Sequence, residues 1–300
     1  MNRIARLALA ALIVTASAFA PASAAEPKIK VIIIGGQNNH DWKKSTPMME
    51  GILKAAGHFD VTVDNAPPKD APQADWDAWQ PKFDRFDCVV LDYNGRMWPD
   101  RVKNAFVDYV RSGGGVVAIH AANNSFTGWK EFEEMLALLW RRPTYGASLY
   151  TDDDGTVARE APGEGRGMGH GSQYDWMMTT RDPDHPITQG MPLHWQHKKD
   201  ELYHGQRGPA QNVHILLTAY SDPGEGRRGT GKHEPIVWWV PYGQGKVVTN
   251  LMGHVGGLDP MKCVGFQVTL RRCCEWAATG KCVTPIPDNF PTAESTSLVE

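Results

Sequence analysis

The chain has 300 residues, with 31 basic against 34 acidic side chains and a net charge of −3. There is no basic block and no acidic tail, so the clustered positive footprint that nucleic acid requires is missing, and nucleic acid is excluded as an expected partner. The 30 glycines and 21 prolines imply long, structured loops, and the 11 tryptophans offer stacking surfaces for sugar rings, although packing is the commoner use of any single one.

Arg3 and Arg6 precede an apolar run from Leu7 to Ala20, and small residues follow at Ala22 and Ala24. This layout predicts a secretory signal peptide over residues 1–24, cut after Ala24, and a periplasmic or secreted mature chain of residues 25–300. The apolar run falls short of the roughly 20 residues a spanning helix needs. No other stretch is longer, so no membrane span is expected after cleavage.

Lys28 to Ile34 is almost wholly apolar, the pattern of a strand buried on both faces of a parallel sheet. It leads into Gly35-Gly36-Gln37-Asn38-Asn39-His40-Asp41. A helix is expected from Thr46-Pro47 to about Gly57, with proline in its first turn. Strands follow at Phe59–Val63 and Asp87–Asp92, separated by a Pro- and Asp-rich connection over Ala66–Arg85. Pro99 opens a helix whose Val102, Phe106, Tyr109 and Val110 fall at helical spacing, and Ser112-Gly113-Gly114-Gly115 ends it. Val116–Ile119 is the next strand. It enters His120-Ala121-Ala122-Asn123-Asn124-Ser125, and a helix is expected from Trp129 to Trp140.

This alternation argues for an α/β domain built on a doubly wound, mostly parallel sheet. The second half is less regular. Thr151–Gly171 reads as loop, with a turn at Asp152-Asp153-Asp154-Gly155. Strands are expected at Asn212–Tyr220, Ile236–Val240 and Lys246–Leu251, the last two joined by a hairpin turn at Tyr242-Gly243-Gln244-Gly245. A final helix covers Met261–Thr279. There is no internal repeat, no linker and no second core, so one domain with long insertions is the simplest account.

Of the five cysteines, Cys88 reads as a buried strand thiol, while Cys263, Cys273, Cys274 and Cys282 cluster near the C-terminus. In an oxidising compartment a bridge from Cys273 or Cys274 to Cys282 would tie down the tail. No spacing among them is that of a metal or redox pair.

Ligands of open α/β sheets bind beyond the carboxyl ends of the strands. Three strand exits there each deliver a histidine: His40 with Asn38, His120 with Asn123 and Asn124, and His254. A lone loop histidine is usually a surface residue; three at one sheet edge make a candidate site. His120 stands at a sharp strand-to-loop turn, where hydrolases of this architecture present a nucleophile. An imidazole there serves as a general acid/base or as a metal ligand.

His170 lies among glycines that allow close backbone approach, and Asp200-Glu201 offers a carboxylate base or ligand. His185, before a proline, is read as structural. His194 and His197, either side of Trp195, form a further candidate ligand pair. Imidazole and carboxylate also suit a divalent metal such as zinc. With no H-x-x-x-H or H-E-x-x-H pattern present, such a site must be assembled from distant segments.

Several stretches resemble the trehalose-utilisation (ThuA-like) domain. They are Gly113 to Phe126 with Trp129 and Phe132, Met168-Gly169-His170-Gly171, His185-Pro186-Ile187-Thr188, Asp200-Glu201-Leu202-Tyr203, Gly231-Lys232-His233-Glu234-Pro235, and Gly253-His254. The resemblance runs from about Lys30 to Gly280. It implies the class I glutamine amidotransferase-like, flavodoxin-like fold, with helices on both faces of the sheet. Amidotransferases place a cysteine at the turn where this chain has His120, and no partner set accompanies it, so glutamine hydrolysis is not expected.

What the resemblance implies is carbohydrate metabolism, notably through 3-keto glycosides. The expectation is an exported enzyme acting on a glycoside or 3-keto sugar by acid/base chemistry. His120, His254 and Glu201 would be catalytic, and Asn38, His40, Asn123, Asn124 and His170 substrate-binding. The competing expectations are a non-catalytic periplasmic sugar-binding protein and a metal-dependent hydrolase. A dinucleotide enzyme is disfavoured, because Gly35-Gly36 does not extend to G-x-G-x-x-G.

Overall fold

The computed structural model describes residues 27–299, and the signal peptide expected over residues 1–24 lies outside the described residues. The first strand, β1 (Ile29–Gly35), pairs in parallel with β2 (Phe59–Asn65) and β3 (Cys88–Leu91), and β3 pairs with β4 (Gly115–Ile119). A strand from far along the chain, β11 (Gly245–Asn250), completes the parallel half beside β4. The resulting order, β2-β1-β3-β4-β11, is that of the flavodoxin-like α/β fold.

The apolar runs alternate between two cores, as a strand's period of two dictates. Val31, Ile33, Cys88, Val90, Val117 and Ile119 face one side. There they meet Met49, Ile52 and Leu53 of α1 (Trp42–Ala55) and, beyond the short α5 (Asp259–Lys262), Phe266, Leu270 and Cys273 of the last helix, α6 (Val264–Thr279). Ile32, Ile34, Val89, Leu91, Val116 and Ala118 face the other side. Their partners include Trp76 of α2 (Gln73–Ala78), Val102 and Phe106 of α3 (Asp100–Arg111), and Phe132 of α4 (Lys130–Leu136). Each such fully buried aliphatic or aromatic side chain contributes roughly 1.5–3 kcal/mol of transfer free energy.

Beyond β11 the sheet turns antiparallel. It runs through β10 (His233–Tyr242), β9 (His214–Tyr220), β7 (Tyr174–Thr180) and β8 (His194–Asp200), and β10 also pairs with β5 (Ser148–Thr151), which pairs with β6 (Val157–Glu160). The expected hairpin turn joins β10 to β11 at Tyr242 to Gly245. Strands β7 and β8 were not legible, because their buried positions carry tryptophan, histidine, aspartate and threonine where an apolar alternation would be sought, and β5 and β6 are four-residue strands, β6 with no buried position at all. The expected pair His194 and His197 sits on β8, but three residues apart on a strand they point to opposite faces, His194 outward and His197 inward.

Three expectations are corrected. The first helix begins at Trp42, ahead of Thr46-Pro47, and contains Pro47. The Asp41 carbonyl already accepts the N–H groups of Lys44 and Ser45, and the Ser45 and Thr46 hydroxyls both donate to the Asp92 carboxylate at 2.6 Å, so the turn before the proline is held from outside. The helix expected to reach Trp140 stops at Leu136, because Ala137 takes a left-handed conformation at φ 61°. All five cysteines are free. Cys273 and Cys274 are buried inside α6, and the Cys282 thiol is turned to the Arg272 carbonyl at 3.4 Å.

Among the described residues no helix is long and apolar enough to cross a membrane. Eight of the 11 tryptophans are buried, which leaves Trp42, Trp140 and Trp239 half-buried and makes packing the main use of this residue here.

Candidate functional site

The exits of β1, β4 and β11 lie at one edge of the parallel half, and the segment after β8 crosses the same edge. At the first exit the Gly36 backbone has φ 99° and passes so close to Ala66 that a Cβ there would stand 2.5 Å from its carbonyl oxygen. The tight passage brings Asn38 over β3. The Asn38 amide donates to Asp92 at 3.1 Å, and its Oδ1 accepts the His40 N–H at 3.0 Å, which fixes the loop carrying His40.

At the second exit His120 itself adopts φ 46°, a left-handed conformation that costs a non-glycine residue roughly 1–2 kcal/mol. Its Nδ1–H donates to the Leu251 carbonyl at 2.7 Å. At the third exit the N–H groups of Gly253 and His254 donate to Asp200 at 2.7 and 3.1 Å.

Glu201 is the centre on which these exits meet. Its Oε2 lies 3.7 Å from His40 Nε2, 3.6 Å from His120 Nε2 and 3.7 Å from His170 Nε2, and its Oε1 lies 3.2 Å from His254 Nε2. The rings of His40 stand 4.8 Å from those of His120 and His254. Tyr203 backs the cluster, its ring 4.4 Å from that of His120, and Trp140 packs on Tyr203 at 4.5 Å. His120, His254 and Glu201 are buried, His40 is half-buried, and the His170 side chain is 36% exposed, so the cluster opens to solvent past His170.

The environment sets the charges. Burial alone would raise the Glu201 pKa, but the imidazoles of His120, His40 and His254 reverse this and hold it well below the usual carboxylate range. Burial opposes charge on His120 as well. The Glu201 and Asp200 carboxylates and the Leu251 carbonyl outweigh it and raise that pKa above the usual imidazole value. For His254 burial wins over the pull of Glu201, and the pKa falls. The ligand atoms of His40, Glu201 and His254 lie within 4.8 Å of one another, a spacing that can hold a metal ion.

The chain from residue 30 to residue 277 matches the ThuA family, described as trehalose utilisation. A putative ThuA-like protein from Parabacteroides merdae has 39% sequence identity and a TM-score of 0.85, over 91% of this chain and 98% of that one. This chain belongs to the ThuA family.

A second putative ThuA-like protein, from Bacteroides uniformis, shares the fold at 17% identity and a TM-score of 0.56, over 87% of this chain and 98% of its own. So does the cytoplasmic protein STM3548 of Salmonella typhimurium, at 14% identity and a TM-score of 0.50, over 83% and 99%. No curated protein matches.

Of the residues singled out in the ThuA sequence, His40, His120, His170, His254 and Glu201 share one cluster. Asn38 acts on the cluster through the His40 backbone. Asn123 is fully buried and donates to Gln206 at 2.8 Å, while Asn124 is half-buried with its carbonyl oxygen accepting from Arg141.

Sequence reasoning missed Asp92, Gln173, Trp140 and the part played by Asp200. Asp200 is wholly buried and accepts from four groups: His197 Nε2 at 2.8 Å, Gly253 N at 2.7 Å, His254 N at 3.1 Å and Glu201 N at 2.7 Å. An aspartate ending an apolar strand was the available signal for Asp92. Nothing local marks Gln173, which reaches His254 across 81 residues of sequence.

Proposed function

We propose that this ThuA-family protein is an exported enzyme acting on a glycoside or a 3-keto sugar, with the reacting carbon held beside Glu201. The observation that carries the reading is the convergence of four imidazoles on one buried carboxylate at the open end of the parallel strands. Groups whose surroundings push their pKa values apart make natural acid and base partners. Here, against burial, the neighbouring imidazoles lower the Glu201 pKa; burial lowers that of His254; and, again against burial, the Glu201 and Asp200 carboxylates raise that of His120.

A 3-keto sugar has acidic protons beside its carbonyl. Glu201 or His254 would remove one, and positive charge at His120, as an imidazolium or through an ion it holds, would stabilise the developing enolate oxygen. The product is then an isomerised sugar or, if a substituent leaves from the neighbouring carbon, an eliminated one. The family description, trehalose utilisation, supports a carbohydrate substrate. So does the half-buried Trp140 beside the opening, where the exposed His170 would meet sugar hydroxyls. Export rests on the sequence of residues 1–24.

The test is a screen of trehalose, other disaccharides and their 3-keto forms against the mature protein, with products detected by mass spectrometry. Turnover by the parent chain and none by a folded His120→Ala variant is expected. Full activity in that variant, or tight sugar binding with no product from any substrate, would overturn the assignment.

A further inference from the structure

The positions of the protons in the cluster decide more than the distances do. His120 gives its Nδ1–H to the Leu251 carbonyl at 2.7 Å, and His170 gives its Nδ1–H to the Gly171 carbonyl at 2.8 Å. A carbonyl oxygen can only accept, so each neutral ring carries its proton on Nδ1 and a lone pair on Nε2. Both lone pairs face Glu201 Oε2, at 3.6 and 3.7 Å, and His40 Nε2 faces the same oxygen at 3.7 Å. These separations are too long for hydrogen bonds. His120 Nε2 and Glu201 Oε2 are both shut from solvent with no partner. With His120 and His170 in this neutral form, electron-rich atoms converge on Glu201 Oε2 in a buried space and repel one another, unless a proton or a metal cation lies among them.

His254 differs. Its Nδ1 accepts the Gly256 N–H at 3.0 Å and lies 3.0 Å from the Gln173 amide nitrogen, so its proton is on Nε2, which stands 3.2 Å from Glu201 Oε1. Spacing alone groups His254 with His40 and Glu201 as a ligand. Its tautomer removes it from that role and makes it the residue that turns the carboxylate, leaving Oε2 free. An imidazole anchored through Nδ1–H to a carbonyl, as His120 and His170 are, is a supporting contact found around metal ligands.

We propose that His40, His120 and His170 through Nε2, with Glu201 through Oε2, bind one divalent transition-metal ion of the zinc class. Ligand bonds of about 2.0–2.2 Å in a tetrahedral site give ligand-to-ligand edges of roughly 3.4 Å, close to the 3.6–3.7 Å that separates Glu201 Oε2 from each of the three Nε2 atoms, and the imidazoles close in on one another around the ion. Three nitrogens and one oxygen form a donor set that favours zinc and its first-row neighbours over magnesium or calcium. The ion occupies the site assigned above to sugar chemistry, and there it polarises a sugar carbonyl or a water molecule as a Lewis acid. His120 then serves the reaction as a ligand.

The experiment uses zinc alone, without sugar. The mature chain is stripped of metal by chelation and titrated with Zn²⁺ by calorimetry, with metal analysis of the dialysed product. One ion per chain is expected. Glu201→Gln, which keeps the side-chain shape, and His170→Ala, at the exposed rim, should each weaken binding by at least about 100-fold, beyond what loss of a supporting contact costs. His254→Gln, which removes an imidazole outside the proposed ligand set, should stay within about tenfold.

Circular dichroism confirms that each variant is folded. His120→Ala is added if it passes that check. No zinc binding by the parent chain, or binding that survives Glu201→Gln and His170→Ala unchanged, would overturn the site. Zinc bound as expected with no sugar turned over would leave the site standing and remove the sugar reading. Full turnover by metal-free protein would do the reverse.

Discussion

Replacing Asp200 by asparagine tests whether one buried carboxylate holds the candidate site together. The side chain accepts from Glu201 N and His254 N on one oxygen and from Gly253 N and His197 Nε2 on the other. Asparagine keeps one acceptor oxygen and places an NH2 where the other stood. His197 can switch tautomer and accept from it, but a backbone N–H on that side cannot. One buried N–H is then orphaned, at about 1–3 kcal/mol.

The pair with His197 is lost as well, and breaking a buried ion pair costs about 3–5 kcal/mol. The terms share atoms and do not add in full, so a destabilisation of about 4 kcal/mol is expected. That is a large part of an ordinary stability of ~5–15 kcal/mol. Urea unfolding followed by tryptophan fluorescence measures it. With a slope of ~3 kcal/mol per molar the midpoint should fall by more than about 1 M. Because Asp200 also fixes the backbones of Glu201 and His254, zinc affinity and turnover should drop in the variant that remains folded. A midpoint shift below about 0.3 M would refute the account of Asp200 as the brace of the site.

Further outcomes follow from the same contacts. Burial disfavours charge on His197, yet Asp200 and Cys263 raise its pKa to about 9. The stabilisation is therefore fully present below the ordinary imidazole value and is lost as pH rises through about 9. Thermal midpoints should fall over that window by the equivalent of a few kcal/mol, and a His197→Gln variant should show a flatter profile. Gly36→Ala places a methyl group 2.5 Å from the Ala66 carbonyl at a φ of 99° and should cost ~2–4 kcal/mol in the same urea assay. His120→Gly should be more stable than His120→Ala by about 1 kcal/mol, because glycine takes the φ of 46° without strain. Thiol titration in denaturant should find five free cysteines per chain, and in native buffer Cys282, the one cysteine that is not buried, should react first.

The sequence by itself determined the parallel half of the sheet and the edge where the site lies. Lys28–Ile34, Asp87–Asp92 and Val116–Ile119 are short apolar runs ended by polar loops, and a strand buried on both faces has no other composition open to it. The histidines after three of the strands, and Glu201, could be named for the same reason, since strand exits are local features.

The antiparallel half was decided only in tertiary structure. Strands β7 and β8 are held by ladder bonds to each other and by a buried His197–Asp200 pair, neither of which leaves a periodic apolar trace. Tertiary structure also decided which polar residues reach the cluster and which brace it. Asn123 turns into packing against Gln206, Asp92 and Asp200 carry no exposed surface to speak of, and the tautomers of His120, His170 and His254 are set by carbonyl and N–H groups brought in by the fold. A side chain's type can be read along the chain, but the atom it is hydrogen-bonded to, and hence where its proton sits, exists only once distant segments have met.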